Sequence, residues 1–409
     1  MDSSQGLNSL KQIKTSTKGG EICMEKEQPL SPMARLFHEP GSNVYIVSMM
    51  GCKTKIKPDV IKESLVNSIL RHPRFSSLQT SDLNAIPTLA VSKDSGYIKI
   101  TSFWSILEVF WNSLVAVMMF VFTVLFLKDT ETPLKGSLGV ENRPRRFVSR
   151  SVSLADIKAV KNAMNVTLND VVLGVTQAGL SCYLNRRYSK IKGLDYNSKK
   201  DVIPKNIRLR ATFFFNLRAT TRIDVSSVFC LCVHFLVRQT LVEKMKTGKM
   251  GQWGNKIGYV LLPFTIGLKS NPLDYVKEAK AVIDRKKASL EPLYTYFVLY
   301  VVLKLFGMKA AGKLNHKVFF NTTLWFTNVP GPQEEVTFYG HDIAYMAPSC
   351  YGQPNALMIH IVSYIDKLTF VISADEETIP DPQQLCDDLE ESLDLIKSSA
   401  LGTESAKNK

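Results

Sequence analysis

The longest apolar stretch in the chain constrains its fold most. From Val109 to Leu127 nineteen residues carry no charge, enough for a helix to cross a hydrocarbon core about 30 Å thick at about 1.5 Å per residue. Trp104 and Trp111 lie near one end and Lys128 bounds the other, an arrangement typical of a membrane interface. The apolar residues are not confined to one helical face. The segment 103–127 therefore predicts membrane contact in preference to a buried core helix.

Composition indicates a folded protein with a basic surface. The 409 residues are 45% hydrophobic and 22% charged, with a net charge of +14. This excess of positive charge suits nucleic acid, anionic lipid or a phosphate-rich molecule such as coenzyme A. Because no nucleic-acid-binding motif is present, we do not expect a nucleic-acid partner.

The seven cysteines show neither disulfide nor metal-ligand spacing, which predicts reduced, buried thiols in a cytosol-facing protein. Cys230, Cys232 and His234 form a CxCxH pattern within an apolar run, but no further ligand cluster accompanies them. We therefore predict no metal site.

Periodicity predicts strands and helices on both sides of the apolar segment. A strand is expected over 42–51 and a helix over 57–72, with Pro58 at its first position. Two further helices are predicted to begin at the caps Ser153 and Thr167. Later helices are expected at 277–287, 293–306 and after Asp381, and strands at 208–220, 254–268, 318–328, 335–348, 356–364 and 367–375. This order predicts an α+β or α/β protein.

Seven collinear segments carry a family resemblance over residues 29 to about 82 and about 86 to 398. They are "PLSPMARLFHEPGSNVYIVSMMG", "NSILRHPRFSS", "TLNDVVLGVTQAGLSCYL", "RATFFFNLR", "WGNKIGYVLLPFTIGL", "FTNVPGP" and "YMAPSCYGQPNALMIHIVSYIDKLTFVISADEETIPDP". The sequence resembles the plant wax ester synthase/diacylglycerol acyltransferase family. The resemblance implies an α+β fold like that of chloramphenicol acetyltransferase, with two lobes and a tunnel between them. It also implies transfer of a fatty acyl group from acyl-CoA to a long-chain alcohol or to diacylglycerol.

The resemblance also implies a division of the chain. We expect a disordered tail at 1–28, the start of a truncated N-terminal acyltransferase lobe at 29–80, and a linker at 81–150 that contains the membrane segment. The remainder of the N-terminal lobe and the crossover are expected at 151–250, and the C-terminal lobe at 251–400.

The family's catalytic motif is missing from the sequence. Members of the family carry HHxxxDG, whose second histidine is the general base, downstream of "HPRFSS". The six histidines of this chain include no adjacent pair. Here "RFSSLQ" passes directly to "TSDLNAIPTLAV", which resembles material that follows the motif in relatives. We therefore expect a block of the N-terminal lobe to be absent near Gln79–Ser81, through alternative splicing or gene misprediction, and assign no catalytic residue.

No other histidine is predicted to replace the base. His72 ends a helix just before Pro73, and relatives have this residue in addition to their motif. His341 and His360 match positions of the C-terminal lobe. His360 shares a strand face with Met358, Val362 and Tyr364, which predicts a packed side chain.

Five residues are candidates for substrate binding. Asn169 and Asp170 resemble an Asn-Asp pair linked with activity in the family, although helix-start chemistry would explain them equally well. Asn328, Pro330 and Gly331 belong to "TNVPGP", which resembles a family motif near the tunnel and also reads as a rigid turn.

Three alternating arginines form a further candidate site. They are expected either to meet the phosphates of coenzyme A or to form a solvated strand face: Arg208, Arg210 and Arg218. The resemblance implies acyl-CoA as co-substrate and no bound cofactor.

Two functions stay open at this point. The first is a membrane-bound O-acyltransferase, and the second is an inactive variant that binds lipid, acyl-CoA or a related active subunit. The resemblance implies the endoplasmic reticulum membrane, with the plasma membrane as a further location. Basic residues are richer after the apolar segment than before it, so a simple span would place the C-terminal bulk in the cytosol. Because strand 42–51 should pack with elements beyond residue 150, we favour an interfacial or re-entrant anchor that leaves both lobes cytosolic.

Overall fold

The computed structural model describes residues 36–38, 42–71, 103–194, 201–216 and 257–407. The predicted tail, His72, the expected gap at Gln79–Ser81, Arg218 and the CxCxH pattern lie outside these ranges. The strands are β1 Tyr45–Cys52, β2 Arg145–Ser153, β3 Leu209–Asn216, β4 Ile257–Phe264, β5 Leu324–Val329, β6 Thr337–Phe338, β7 His341–Tyr351, β8 Leu357–Tyr364 and β9 Lys367–Asp375. The α-helices are α1 Pro58–Asn67, α2 Phe103–Leu125, α3 Leu154–Met164, α4 Leu168–Ile191, α5 Leu273–Lys287, α6 Glu291–Asn321 and α7 Pro382–Lys407.

The strands form two sheets, which confirms the predicted mixture of strands and helices. The larger sheet has six strands in the order β2-β9-β8-β5-β3-β4, and β5 runs parallel to β3 and β8. The smaller sheet has the order β1-β7-β6. In it β1 pairs with β7, with Tyr45 opposite Tyr351. The strand before the apolar segment therefore pairs with a strand far beyond it, as the sequence predicted.

The two faces of the larger sheet bury different cores. Phe213 and Phe215 pack with α3, α4, α5 and α7 on one face, whereas Phe214 points to the other. There Phe214 stacks on Trp325 at 4.3 Å between ring centroids. This alternation follows from the period of two in a strand. Each buried phenylalanine contributes about 1.5–3 kcal/mol from the apolar area removed from water.

Local signals placed most element starts correctly and failed where a helix runs into a strand. Ser153 caps α3 by accepting a hydrogen bond from the backbone N–H of Asp156 at 3.3 Å. The predicted strand 318–328 is wrong in its first part, because residues 318–321 are the end of α6 and β5 begins at Leu324. Val318 and Phe319 are fully buried, and a short apolar run does not distinguish a buried helix end from a strand. The helix predicted over 57–72 ends at Asn67, and a 3-10 turn follows at Ile69–Arg71.

The apolar segment forms α2, and only part of it packs on the protein. Ala116, Phe120 and Thr123 are buried, whereas Trp104 is 76% exposed and most large side chains of the helix face outward. Within the described residues, one helix is long and apolar enough to cross a membrane, over Ile106–Leu125. This composition agrees with the membrane contact that the sequence predicts.

Candidate functional site

Two of the predicted substrate-binding residues meet at one end of the larger sheet. The side-chain amide of Asn328, at the end of β5, donates a hydrogen bond to Oδ1 of Asn169 at 2.6 Å. Asn169 lies in the first turn of α4. The contact joins the carboxyl end of a parallel strand to a helix N-terminus. Such an end presents backbone N–H groups and a partial positive charge, which suit a carbonyl oxygen or an anion.

Asp170 caps the N-terminus of the same helix, α4. Thr167 and Asp170 form a complete capping box, in which the backbone N–H of Thr167 donates to Oδ2 of Asp170 at 2.7 Å. The backbone N–H of Asp170 donates in return to the Thr167 hydroxyl at 3.4 Å. The other carboxylate oxygen of Asp170 is buried and has no hydrogen-bond partner among the described residues. Asp170 therefore fixes the start of α4, whereas Asn169 reaches across to the sheet.

Pro330 and Gly331 form the turn that follows β5. The backbone N–H of Gly331 donates to the Ser363 hydroxyl at 3.1 Å, which ties the turn to the end of β8. A Cβ atom at Gly331 would lie 2.0 Å from the carbonyl oxygen of Ser363. The turn therefore requires glycine because of this close backbone approach. It holds the Asn328 end of β5 in a fixed position.

A second polar group lies on the opposite face of the larger sheet, between β5 and β8. Nδ1 of His360 lies 2.9 Å from the Thr327 hydroxyl, and its Nε2 lies 3.6 Å from the sulfur of Cys350. His360 is only 2% exposed. Burial, and then the charge of Arg145, lowers the pKa of His360 to about 3. This histidine is therefore neutral at physiological pH and packed in the core, as the strand pattern predicts.

Two other histidines of the described residues are also not arranged as a general base. His341 is buried, with Nδ1 at 3.2 Å from the Thr54 hydroxyl and Nε2 at 3.4 Å from the backbone N–H of Lys57. His316 is half-buried on α6, 3.6 Å from Oε1 of Glu141. Within the described residues, no group of three or more His, Cys, Asp or Glu side chains is arranged to hold a metal ion.

Arg210 has a role that the sequence did not predict. Its Nε donates to Oδ1 of Asp129 at 2.6 Å, and both side chains are buried. Oδ2 of Asp129 accepts from the backbone N–H of Arg210 at 2.7 Å and from the Thr323 hydroxyl at 2.7 Å. Arg210 is therefore neither on a solvated face nor free for coenzyme A phosphates, whereas Arg208 is exposed. The two partners are 81 residues apart, so no local pattern could have paired them.

The described cysteines include two buried thiols, at positions 350 and 386, and two that are half-buried, at positions 52 and 182. None of these four described cysteines forms a disulfide bond, and the predicted burial is wrong for the two half-buried ones. Burial raises the pKa of Cys386 to about 12. This thiol therefore stays protonated at physiological pH and packs as a small apolar side chain.

Comparison with known proteins identifies the family. A family model described as the WS/DGAT C-terminal domain matches residues 253–397. Wax ester synthase/diacylglycerol acyltransferase 5 of Arabidopsis thaliana is 37% identical over 506 residues, which covers 94% of this chain and 96% of that protein. Wax ester synthase/diacylglycerol acyltransferase 6 of the same plant is 35% identical and covers 93% of this chain and 95% of its own length. The chain belongs to the wax ester synthase/diacylglycerol acyltransferase family, as the sequence predicted.

A solved structure of the same family also matches. It is the wax ester synthase/diacylglycerol acyltransferase from Marinobacter aquaeolei VT8, with a TM-score of 0.41 and 20% identity. The match covers 70% of this chain and 56% of that chain. This chain therefore spans little more than half of that structure.

The alignment lengths show that this chain lacks residues present in its relatives. Since 94% of 409 residues is about 384, about 120 of the 506 positions aligned with the first relative hold its residues opposite gaps in this chain. The position of the absent block, near Gln79–Ser81, stays a prediction.

Proposed function

We propose that this chain is built for acyl-CoA-dependent O-acyl transfer, with a long-chain alcohol or diacylglycerol as acceptor. The observation that carries the proposal is the match to named wax ester synthase/diacylglycerol acyltransferases over more than nine-tenths of the chain. In this reaction the acceptor oxygen attacks the thioester carbonyl, an ester bond forms, and the carbon–sulfur bond breaks. A base takes the hydroxyl proton, and coenzyme A leaves as the thiol.

The Asn169–Asn328 pair is the proposed acyl-CoA contact. Both side chains stand at the N-terminus of α4, and Asn328 is almost buried at 9% exposure. An amide side chain has two N–H donors. The hydrogen bond to Asn169 uses one of the two donors of Asn328. Asn328 therefore keeps a donor that suits the thioester carbonyl or an amide group of coenzyme A. Pro330 and Gly331 support this role by fixing the turn.

The second candidate is a product that binds acyl-CoA and lipid without transferring the acyl group. It is favoured by the absence of two adjacent histidines in the whole sequence. It is also favoured by the burial of His360, which leaves that imidazole without access to an acceptor hydroxyl. Under this candidate the incomplete N-terminal lobe lacks the general base and the strands that position it.

Expression in yeast that lacks storage lipid distinguishes the two candidates. Wax ester or triacylglycerol formed by this 409-residue chain would establish transfer and would contradict a missing base. No product, together with retained acyl-CoA binding, would establish the second candidate. A matched chimera with the HHxxxDG block of a relative inserted between Gln79 and Ser81 is expected to form product. Sequencing the transcript and its genomic locus tests whether an exon encodes that block.

The membrane proposal rests on the β1–β7 pairing. β1 precedes α2 and β7 follows it, yet the two strands exchange backbone hydrogen bonds. A membrane-spanning α2 would place these strands on opposite sides of the bilayer. We therefore propose that α2 lies in the interface, with the folded part in the cytosol at the endoplasmic reticulum. Protease protection of tags at both termini tests this arrangement, and opposite accessibility of the two tags would contradict it.

A further inference from the structure

Helix α6 reverses direction at Gly307. The Thr295 hydroxyl accepts from the backbone N–H of Tyr259 at 3.0 Å. The ring of Phe319 lies 5.5 Å from the ring of the same Tyr259. Residues 295 and 319 would be about 36 Å apart in a straight helix at about 1.5 Å per residue, too far for both to contact one tyrosine. The helix is therefore a hairpin of two arms, 291–306 and 308–321.

The backbone of Gly307 accounts for the reversal. Its φ of 77° and ψ of −179° interrupt the helical conformation. This region of backbone space is open to glycine and strongly unfavourable for other residues. The two arms pack together, because Leu299 of the first arm and Met308 and Ala311 of the second belong to one buried cluster. Gly307 is thus the tip of a rigid helical hairpin.

The tip exposes large apolar side chains to solvent. Leu305 is 67% exposed and Phe306 is 70% exposed, and Phe297 on the first arm is also exposed. Exposed side chains of this size at one rigid tip indicate an interaction surface. The first arm packs on α2, since Phe120 and Tyr294 are in edge contact with ring centroids 5.5 Å apart. The hairpin that carries the exposed tip is therefore attached to α2 near the start of its first arm.

Positive charge flanks this tip, and the hairpin's own stretch of chain supplies no carboxylate to balance it. Residues 292–333 contain no aspartate or glutamate, and four lysines of the hairpin are exposed: Lys304, Lys309, Lys313 and Lys317. None of the four forms an ion pair within the described part of the chain. Lys304 and Lys309 flank the tip directly. Long lysine stems can lie along apolar surface while their ammonium groups reach phosphate groups above it.

We propose that the tip of the α6 hairpin inserts into the membrane interface as a second attachment point beside α2. Leu305 and Phe306 enter the outer part of the acyl-chain region, and Lys304 and Lys309 contact anionic headgroups. The charge pattern selects a lipid surface, because a tip with unpaired lysines around an apolar centre complements an anionic bilayer. This inference goes beyond the membrane attachment proposed for α2, and it is independent of acyl transfer.

Photo-crosslinking in the full-length chain tests the tip. A photoreactive phenylalanine analogue replaces Phe306, and the chain is mixed with vesicles of phosphatidylcholine and phosphatidylserine that contain radiolabelled phospholipid. The matched control places the analogue at Leu138, which is 75% exposed on another part of the molecule. We expect lipid adducts at position 306 at about ten times the level at position 138 or more. Equal labelling at the two positions, or crosslinks to a second copy of the chain, would overturn the proposal.

The same experiment separates the tip from α2. The analogue at Phe110, an exposed residue of α2, reports the α2 surface. Labelling at position 306 without labelling at position 110 would refute the α2 attachment and support membrane insertion of the tip. Labelling at position 110 without labelling at position 306 would refute insertion of the tip alone. The variant K304Q/K309Q is expected to lower labelling at 306 several-fold on vesicles containing phosphatidylserine, and not on phosphatidylcholine alone. Unchanged labelling on the anionic vesicles would overturn the headgroup contact.

Discussion

Asn328 and Asn169 are joined by a hydrogen bond of 2.6 Å, although 159 residues separate them in the chain. The bond fixes the end of β5 against the start of α4. These two asparagines come from separate motifs of the family resemblance, and the hydrogen bond brings the two motifs together at one place in the fold.

The first prediction concerns the amide of Asn328. The substitution Asn328→Ala removes the donor and leaves Oδ1 of Asn169 unpaired, so the free energy of unfolding should fall by about 1 kcal/mol. Loss of a directed donor should also weaken acyl-CoA binding by about tenfold, measured by isothermal titration. Asn162→Ala, at an exposed position of α3, is the matched control and should change neither quantity. If N328A binds acyl-CoA as tightly as the parent does, Asn328 does not contact acyl-CoA.

The second prediction separates capping from binding at the start of α4. Thr167→Ala and Ser153→Ala each remove one helix cap, and each should lower the free energy of unfolding by about 1 kcal/mol in urea denaturation. Only T167A should also weaken acyl-CoA binding, because only α4 begins against Asn328. If both variants bind acyl-CoA equally well, the first turn of α4 is purely structural.

The third prediction concerns the buried ion pair that follows α2. Arg210→Met leaves the carboxylate of Asp129 buried without its partner, which should lower the free energy of unfolding by about 3–5 kcal/mol. The double variant D129L/R210M should recover much of this loss, since both charges are removed. Arg208→Met, at the exposed neighbouring position on this side of the sheet, is the control and should stay within about 0.5 kcal/mol of the parent. A small effect of R210M in urea denaturation would contradict the buried pairing.

The fourth prediction follows from the low pKa of His360. Its folded-state pKa of about 3 lies below the ordinary histidine value of 6.5, because burial and then Arg145 disfavour the charged form. The unfolded chain therefore takes up a proton between pH 6.5 and 3 that the folded chain refuses. The stability contributed by neutral His360 is complete above pH 6.5 and decreases by up to about 1.4 kcal/mol per pH unit below it.

Urea denaturation of the parent and of His360→Gln across this pH range measures the effect. The difference between their unfolding free energies should be constant above pH 6.5 and should shrink as the pH falls. His316→Gln, at a half-buried histidine, provides the comparison. Parallel curves for the parent and H360Q would show that His360 is accessible to protons in the folded chain.

Much of the local structure was predictable because its signals are local. The caps at Ser153 and Thr167 depend on residues three positions apart, and β8 and β9 follow their apolar runs. The packed state of His360 followed from its strand face. The end of α6 was assigned wrongly to a strand, because a short apolar run such as 318–320 is compatible with both structures. The helix predicted over 293–306 ends directly before the interruption at Gly307, whereas the second arm of α6 was not predicted.

The sequence by itself determined the family, most helix starts, most strands, the apolar segment and the absence of two adjacent histidines. Only the tertiary structure decided that Asn169 meets Asn328, that Arg210 is buried against Asp129, and that α6 folds back on itself. The physical reason is that hydrophobic periodicity fixes which face of an element is buried, but not which distant element covers it. Those partners are selected by packing and by the need to pair buried polar groups, which act between residues far apart in the chain.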